Sequence, residues 1–122
     1  MNKKEKILVT GSSGFIGMSL CKRLLLDGYQ VMGLDNMNDY YDPLLKEKRL
    51  QNLKIHNNFR FEKIDITNYL ELNNIFKDFK SIKVVNLAAQ AGVRYSLKNP
   101  HAYISSNIIG FMNILECSRH NN

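Results

Sequence analysis

Cysteine, histidine and long apolar runs are scarce in this 122-residue sequence, and each scarcity excludes a class of site or protein. The two cysteines, Cys21 and Cys117, lie on different predicted helices and form no metal or redox motif. We therefore expect reduced, packed thiols and a cytoplasmic protein. The three histidines, His56, His101 and His120, lack metal-ligand spacing, so we predict no metal site and place them at the surface or at helix caps.

Membrane and targeting signals are also lacking. No apolar run is long enough for a transmembrane helix, so we predict no membrane partner. Lys3, Lys4 and Lys6 precede an apolar stretch, as in a signal peptide, but Gly11 interrupts that stretch and no small-residue cleavage site follows. We therefore expect no secretory signal.

The net charge of +6 raises the question of a nucleic-acid partner. The basic residues are scattered, and the densest group (Lys46, Lys48 and Arg49) shares one predicted helix with Glu47. No nucleic-acid-binding motif accompanies them, so we interpret this group as a solvated helix face and predict no nucleic-acid partner. The length and the 44% hydrophobic content are typical of a single globular domain, here 1–122.

Predicted strands and helices alternate along the chain, without a repeat, a low-complexity tract or a linker. Apolar runs predict strands at 6–10, 29–34, 59–66 and 83–89. Helical periodicity and stop signals predict helices at 14–26 and 43–52, and two more that begin near 68 and near 100.

Capping residues set the helix boundaries. Asp42 precedes Pro43, the favoured first residue of a helix, and Thr67 or Asn68 caps the third helix, with Glu71 in capping-box position relative to Asn68. Apolar residues then mark helix faces. They are Ile16, Leu20 and Leu24 on the inner face of the first helix, and Tyr103, Ile104, Ile108, Phe111, Met112 and Leu115 at helical spacing in the last.

Four successive βα units predict an α/β fold: a partial Rossmann-like, doubly wound parallel sheet with strand order 3-2-1-4. Ligands of such sheets bind beyond the carboxyl ends of the strands, at the switch point between the first and fourth strands. The prediction therefore gathers Gly11 to Gly17, Asp35, Asp65 and the 88–94 loop on one rim.

The strongest motif lies at the first strand end. Gly11, Gly14 and Gly17 form G-x-x-G-x-x-G between a strand and a helix, and Asp35 closes the next strand. The helix N-terminus offers N–H groups to a pyrophosphate, and Asp35 is placed to accept hydrogen bonds from a ribose diol. The alternative is an ordinary glycine turn with a structural aspartate. The spacing resembles that of short-chain dehydrogenases/reductases, and G-F-I-G resembles their extended branch.

A second informative stretch follows the fourth strand. Ala88, Ala89, Ala91 and Gly92 are small, which leaves room for a ring system or, alternatively, allows tight helix–sheet packing. Together with D-N-M-N-D-Y-Y-D-P at 35–43, N-P-H-A-Y at 99–103 and S-N-I-I-G-F at 106–111, it resembles the sugar-nucleotide epimerases of the extended branch, most closely the UDP-glucuronate 4-epimerase group. The resemblance covers essentially the whole chain.

This resemblance implies an NAD site and assigns residues to it. Phe15 and Ile16 would bind the pyrophosphate; Asp35, with Asn36 and Asn38 beside it, would bind the adenosine ribose and disfavour the 2′-phosphate of NADP. The remaining cofactor residues are Gly11, Gly14 and Gly17 in the turn, Asp65 and Ile66 at the adenine, Leu87, Ala88, Ala89 and Gln90 along the nicotinamide half, and Ser106 or Asn107 close to it. Asn107 can equally tie the last helix to the fourth strand.

Arg94 is the predicted contact to an anionic UDP-sugar substrate, because arginine suits phosphate and carboxylate recognition. The alternative is a surface salt bridge.

The catalytic pair of the family is not found in this chain. The resemblance calls for Tyr-x-x-x-Lys, whose tyrosine acts as general base, yet no tyrosine here has lysine four positions later. We therefore assign no catalytic residue and expect the chain to be the N-terminal, cofactor-binding part of a longer enzyme and inactive alone. The later strands and the substrate domain would be missing.

Other functions remain open from the sequence. A 4,6-dehydratase or decarboxylase of the same branch would share this cofactor half, and a stand-alone NAD-binding module would need no chemistry. The missing next strand would also leave a sheet edge open, so we expect a homo-oligomer or a swapped assembly through that edge.

Overall fold

The two apolar runs nearest the N-terminus form the two central strands. In the computed structural model, which describes residues 5–121, β1 (Lys6–Thr10) and β2 (Gln30–Asp35) pair in parallel, and residues 7–10 and 31–35 are buried. Strands buried on both faces are typical of parallel sheets covered by helices. Lys3 and Lys4 of the basic N-terminus lie outside the described residues.

The outer strands complete the sheet in the predicted order. β3 (Phe59–Lys63) pairs with β2, β4 (Lys83–Asn86) pairs with β1, and the order is β3-β2-β1-β4, with every pairing parallel. This confirms the predicted α/β sheet.

Both outer strands end three residues earlier than the sequence predicts. Asp35 is paired with Lys63 and Thr10 with Asn86, and each inner strand stops at that position. A strand can continue only while its neighbour offers backbone partners, so 64–66 and 87–89 leave the sheet as loop segments.

The second and third helices begin where the capping signals predict, and the first begins one residue after its predicted start at Gly14. α1 (Phe15–Leu26) follows Gly14; α2 (Pro43–Lys54) is capped by Asp42, whose carboxylate accepts from the Leu44 N–H at 3.0 Å. For α3 (Tyr69–Phe79) the cap is Asn68, which accepts from the Glu71 N–H at 3.2 Å while its amide donates to the Glu71 carboxylate.

The predicted inner face of α1 is wrong at Ile16, which is 67% exposed. The residues that α1 buries are Gly17, Cys21 and Leu25, with Leu20 and Leu24 half-buried beside them. The helix is rotated because Gly17 lies against the carbonyl of Gly11, where no side chain fits.

The last helical run is not a regular α-helix. Asn99 caps α4 (Pro100–Tyr103), a π-helical segment follows (Ile104–Gly110), and α5 (Phe111–Asn121) completes the run. Its buried residues are Gly110, Ile114 and Cys117, whereas the predicted apolar series is largely solvent-facing; Ile104, Ile108, Phe111, Met112 and Leu115 are 47–57% exposed. The wider π turn changes the face that each residue occupies.

Alternation along the strands divides the core between the two faces of the sheet. Leu8, Met32 and Leu34 pack with α3 and α5, whereas Ile7, Val9 and Val31 pack with α1 and α2. The first cluster includes Cys117 and the second Cys21, and both cysteines are free. Within residues 5–121, no helix has the length and apolar character needed to cross a bilayer.

Candidate functional site

A cavity of about 370 Å³ opens at the carboxyl ends of the strands. The chain reaches it from the turn after β1, the loops after β2, β3 and β4, and the π segment. All the predicted cofactor residues except Asn107 line it: Gly11, Gly14, Phe15, Ile16, Gly17, Asp35, Asn36, Asn38, Asp65, Ile66, Leu87, Ala88, Ala89, Gln90 and Ser106. The structure therefore brings together residues from position 11 to position 106 of the sequence.

Two glycines of the turn, Gly11 and Gly17, are required by their surroundings, and the third, Gly14, leaves little room for a side chain. Gly11 has φ +68°, and a β-carbon there would lie 2.9 Å from the backbone nitrogen of Ala88. A β-carbon on Gly17 would collide with the Gly11 carbonyl, and one on Gly14 would lie 3.2 Å from the same oxygen. The turn is a backbone surface with no side chain in the way, which is what a bulky anion needs in order to approach.

The N-terminus of α1 is open to such an anion. It carries no side-chain cap and no acidic residue in its first turn, and the first α-helical bond is donated by Met18 to the Gly14 carbonyl. The preceding N–H groups, those of Phe15 and Ile16 at the cavity, concentrate the positive end of the helix dipole there. Among the described residues, the buried hydroxyls of Ser12 and Ser13 also have no hydrogen-bond partner.

Asp35 is held by three donors, none of which the sequence analysis named. Its Oδ2 accepts from the Ser13 N–H at 3.0 Å, and its Oδ1 accepts from the Met37 N–H at 2.8 Å and from Lys46 Nζ at 3.0 Å. The pair is nearly dry: the Lys46 and Asp35 side chains are only 11% and 4% exposed. Oδ2 therefore keeps one acceptor position, and Lys46 keeps two N–H groups.

The interpretation of the basic group on α2 as a solvated face is accordingly wrong for Lys46 and Arg49. Arg49 is half-buried, donates to the Ser13 carbonyl at 3.2 Å and lies over the Phe15 ring. Lys48 is exposed. Lys46 and Arg49 are three positions apart on α2, so both side chains lie on the same side of the helix and face the glycine turn. The burial of Lys46 is tolerable because its ammonium group pairs with Asp35.

Thr10 fixes the loop after β4. Its hydroxyl donates to Asn86 Oδ1 at 2.5 Å and accepts from the N–H groups of Leu87 and Ala88, both at 3.0 Å. Hydrogen bonds to this side chain replace the strand pairing that ends at Asn86. The small residues that follow thereby keep a fixed position on the cavity wall.

Asn107 contacts the site through the backbone of Gln90. Its Oδ1 accepts from the Gln90 N–H at 2.7 Å, and its Nδ2 donates to the Gln90 carbonyl at 3.2 Å. This is the structural tie that the sequence left as an alternative. Ser106, its neighbour in the π segment, lines the cavity instead.

Asp65 and Arg94 differ in how far they belong to the cavity. Asp65 lines it, but one carboxylate oxygen is already used by the N–H and the hydroxyl of Thr67, at 3.0 and 2.8 Å. Arg94 is exposed at the start of a short 3-10 helix (Arg94–Leu97) and does not line the cavity. Among the described residues it has no ion-pair partner, so the salt-bridge alternative is not observed.

Sequence reasoning missed further lining residues. They are Leu34, Tyr40, Tyr41, Lys46 and Ile64, whereas Ala91, predicted to leave room for a ring, does line the cavity. The two tyrosines belong to a cluster in which Tyr103 donates to the carbonyl of Ala91, and partial desolvation and the neighbouring Tyr40, Tyr95 and Tyr41 raise the pKa of Tyr103. The adjacent Tyr40-Tyr41 pair, directly after a strand-end loop, was the available signal.

The fold and the cavity together define a Rossmann-like α/β domain with an anion-accepting glycine turn and a buried acid at the next strand end. A family model described as GDP-mannose 4,6 dehydratase matches residues 8–122, and the chain belongs to that family.

Curated relatives and solved structures agree with the resemblance read from the motifs. The chain is 56% identical over 117 residues to Protein CapI of Staphylococcus aureus, covering 96% of this chain and 35% of that protein. It is 51% identical over 109 residues to a UDP-glucuronate 4-epimerase of Thermodesulfobacterium geofontis, covering 89% and 34%. The structure of UDP-glucuronic acid 4-epimerase from Bacillus cereus in complex with UDP-glucuronic acid and NAD is similar, with a TM-score of 0.87, 37% identity and coverage of 96% and 37%. The chain thus spans about a third of the length of these relatives.

Proposed function

We propose that this chain is the NAD-binding portion of a nucleotide-sugar 4-epimerase of the UDP-glucuronate type. The observation that carries the proposal is the single cavity in which the uncapped N-terminus of α1 and the buried carboxylate of Asp35 meet. An anion site and a ribose acceptor at neighbouring strand ends are the two contacts that a dinucleotide needs. The named epimerase relatives support the substrate class.

The donors and acceptors around Asp35 suit an adenosine ribose. One hydroxyl would donate to the remaining position on Asp35 Oδ2, and Lys46 would donate to a ribose oxygen. Lys46 also offsets the charge of Asp35, so this pair repels a 2′-phosphate less strongly than an unpaired carboxylate would. The backbone of Phe15 and Ile16 would bind the pyrophosphate.

The other cofactor contacts follow the cavity wall. Asn36, Asn38, Asp65 and Ile66 would surround the adenosine, and the 87–90 segment with Ser106 would accept the nicotinamide ring. NAD, when bound, supplies reversible hydride acceptance, the chemistry that a 4-epimerase needs. This chain's own residues bind and orient the cofactor and shield one face of it from water.

Arg94 is the proposed contact to the sugar nucleotide. Its guanidinium is exposed, unpaired among the described residues, and four positions beyond Gln90 on the loop that lines the cavity. A free arginine is suited to bidentate binding of a phosphate or carboxylate. Without a Tyr-x-x-x-Lys pair, we propose that the chain alone does not turn over substrate.

The state of the chain in solution is also a proposal. β4 pairs on one side only, and no described strand pairs with its other edge, so we propose self-association there. The free, buried thiols of Cys21 and Cys117 support the proposed cytoplasmic location.

Calorimetric titration with NAD tests the proposal. We expect binding by the wild-type chain and a loss of about 1.5–3 kcal/mol in Asp35→Asn, because a charged acceptor is removed. Asp27→Asn is the matched control, since Asp27 forms an exposed pair with Arg23 on the other end of α1. Circular dichroism must show both variants folded at the assay temperature. Equal NAD affinities of wild type and Asp35→Asn would refute the site.

The family description names one alternative to the epimerase, a sugar-nucleotide 4,6-dehydratase. Sequencing the coding DNA beyond codon 122 and assaying the complete protein that it encodes decide between the epimerase and the dehydratase. Epimerisation leaves the mass of the sugar nucleotide unchanged, whereas dehydration removes one water. A stop codon directly after Asn122 would favour a stand-alone NAD-binding module.

A further inference from the structure

Four of the six tyrosines form one cluster at the edge of the cavity. The ring of Tyr40 lies 4.8 Å from that of Tyr41 and 4.8 Å from that of Tyr95, and the rings of Tyr95 and Tyr103 are 6.3 Å apart. Tilted and edge-on aromatic contacts at these separations are attractive. The cluster joins the loop after β2, the loop after β4 and the first turn of α4.

Hydroxyl groups add hydrogen bonds to these ring contacts. Tyr103 donates to the carbonyls of Ala91 (2.9 Å) and Gly92, and Asn99 Nδ2 donates to the Tyr95 hydroxyl at 3.3 Å. The Tyr103 phenol is protonated and can donate at neutral pH, and its raised pKa moves the loss of that proton further into the alkaline range. The carbonyls that it holds belong to the loop that carries Arg94.

Gly92 is the point at which the two loops touch. It has φ +93°, and a β-carbon there would collide with the hydroxyl of Tyr40. The Tyr40 side chain thus rests directly on the backbone of the 91–95 segment. This contact needs a residue without a side chain in a left-handed conformation.

The cluster forms a continuous path from Asp35 to Arg94. Asp35 accepts from the Met37 N–H and fixes the start of one loop, Tyr40 lies three residues further on, and its ring contacts Tyr95, the neighbour of Arg94. We propose that Tyr40, Tyr95 and Tyr103 form a clasp that positions Arg94, and that a ligand bound at the Asp35 end of the cavity restrains Arg94 through this clasp. This coupling between the ligand and Arg94 rests on the proposed NAD site, whereas the clasp itself does not.

Limited trypsin digestion of the ligand-free chain tests the clasp, with mass spectrometry to follow cleavage after Arg94. Lys77, which is exposed on α3, provides a reference site in the same molecule. In Tyr103→Phe we expect cleavage after Arg94 to become about fivefold faster. The local opening that exposes this peptide bond to trypsin costs less free energy, because it no longer has to break the hydrogen bonds of the Tyr103 hydroxyl. Cleavage after Lys77 should be unchanged. Tyr69→Phe, which removes a tyrosine hydroxyl outside the cluster, should resemble wild type at both sites.

The same digestion with NAD tests the coupling. NAD should slow cleavage after Arg94 in wild type, whereas Tyr95→Leu should bind NAD within about threefold of wild type and yet lose most of this protection. Tyr95 does not line the cavity, so its removal leaves the proposed cofactor contacts in place.

Each result has one meaning. Unchanged cleavage after Arg94 in Tyr103→Phe, or an equal rise after Lys77, would overturn the clasp. Bound NAD with equal protection in wild type and Tyr95→Leu would overturn the coupling alone. Absence of NAD binding to wild type would overturn the proposed function and the coupling with it, and the ligand-free digestion would still decide the clasp.

Discussion

The halves of the cavity on either side of β1 are built differently. On the β2 side, residues 31–35 are all buried, and Asp35 has two backbone donors and Lys46 as partners. On the β4 side, no strand residue is fully buried, and the loop that follows is mostly exposed from Leu87 to Arg94. The first half has the packing of a core, and the second has that of a surface.

This difference shows which part of the site the chain forms by itself. In the first half, Asp35 is held by the N–H groups of Ser13 and Met37 and by the buried Lys46, so the proposed adenosine end exists before any ligand binds. The proposed nicotinamide end is a largely exposed loop that is held at separate points, by Thr10 and Asn107 between Leu87 and Gln90 and by Tyr103 at Ala91. Preorganisation lowers the cost of binding, so affinity should come from the first half.

The largest expected effect comes from breaking the ion pair of the first half. Asp35→Ala should lower the free energy of unfolding by about 3–5 kcal/mol, because it leaves the Lys46 ammonium buried without its partner. On α5, outside the cavity, Glu116→Ala breaks an exposed pair with Arg119 and should cost under about 1 kcal/mol. Urea denaturation of both variants measures the difference. Comparable losses would contradict the description of Asp35 and Lys46 as a buried pair, and Asp35→Ala/Lys46→Met should recover part of the loss.

Two helical glycines give the next largest effect. Gly17→Ala places a methyl group on the Gly11 backbone, which cannot move without opening the turn, so we expect a loss of about 3 kcal/mol. Gly110→Ala meets only the Cδ1 and Cγ1 atoms of Ile66, 2.6 Å away, and a side-chain rotation can relieve that contact. The gain in helix propensity, up to about 1 kcal/mol, should bring Gly110→Ala close to neutral. Thermal unfolding of the two variants checks this, and a large loss in both would contradict it.

The sequence predicts the first half better than the second, for physical reasons. Hydrophobic periodicity, glycine spacing and caps are local signals, and they placed the strand order, the Gly11 turn and Asp35 correctly. The Asp35–Lys46 pair was missed because a lysine among charged neighbours on a helix is usually solvated, and only the tertiary fold turns this one inward.

In the second half, the sequence signals compete with one another. The apolar series from Ile104 to Leu115 fits helical spacing, but the π segment turns it outward and buries Gly110 and Ile114 instead. A π turn has no sequence signature as clear as a cap. The tyrosine cluster likewise joins residues 40, 95 and 103, whose contacts depend on the fold and not on spacing.

The buried thiols provide one comparable probe in each of the two core clusters, Cys21 on the α1 face of the sheet and Cys117 on the α5 face, with a smaller effect. Burial raises the pKa of Cys21 from 9.0 to about 12 and, with Glu116 nearby, that of Cys117 from 9.0 to about 11. Above pH 9 the unfolded thiols lose protons that the folded thiols keep, so stability should fall as pH rises, by up to about 1.4 kcal/mol per pH unit for each thiol. Urea denaturation of wild type, Cys21→Ala and Cys117→Ala at several values between about pH 8 and 10 measures the slope of the free energy of unfolding against pH. An unchanged slope in either variant would show that its thiol is not buried as described.

The smallest expected effect is the difference in affinity between two ligands, NAD and ADP-ribose, which contact the two halves of the cavity to different extents. ADP-ribose carries the adenosine and both phosphates of NAD but not the nicotinamide ring. If the first half supplies the affinity, ADP-ribose should bind this chain within about threefold of NAD, a difference of about 0.7 kcal/mol or less. Calorimetry with both ligands measures this, and saturation-transfer NMR should show stronger contacts at the adenine protons than at the nicotinamide protons. A much weaker affinity for ADP-ribose would instead mean that the exposed 87–91 wall forms a binding surface as effective as the buried turn.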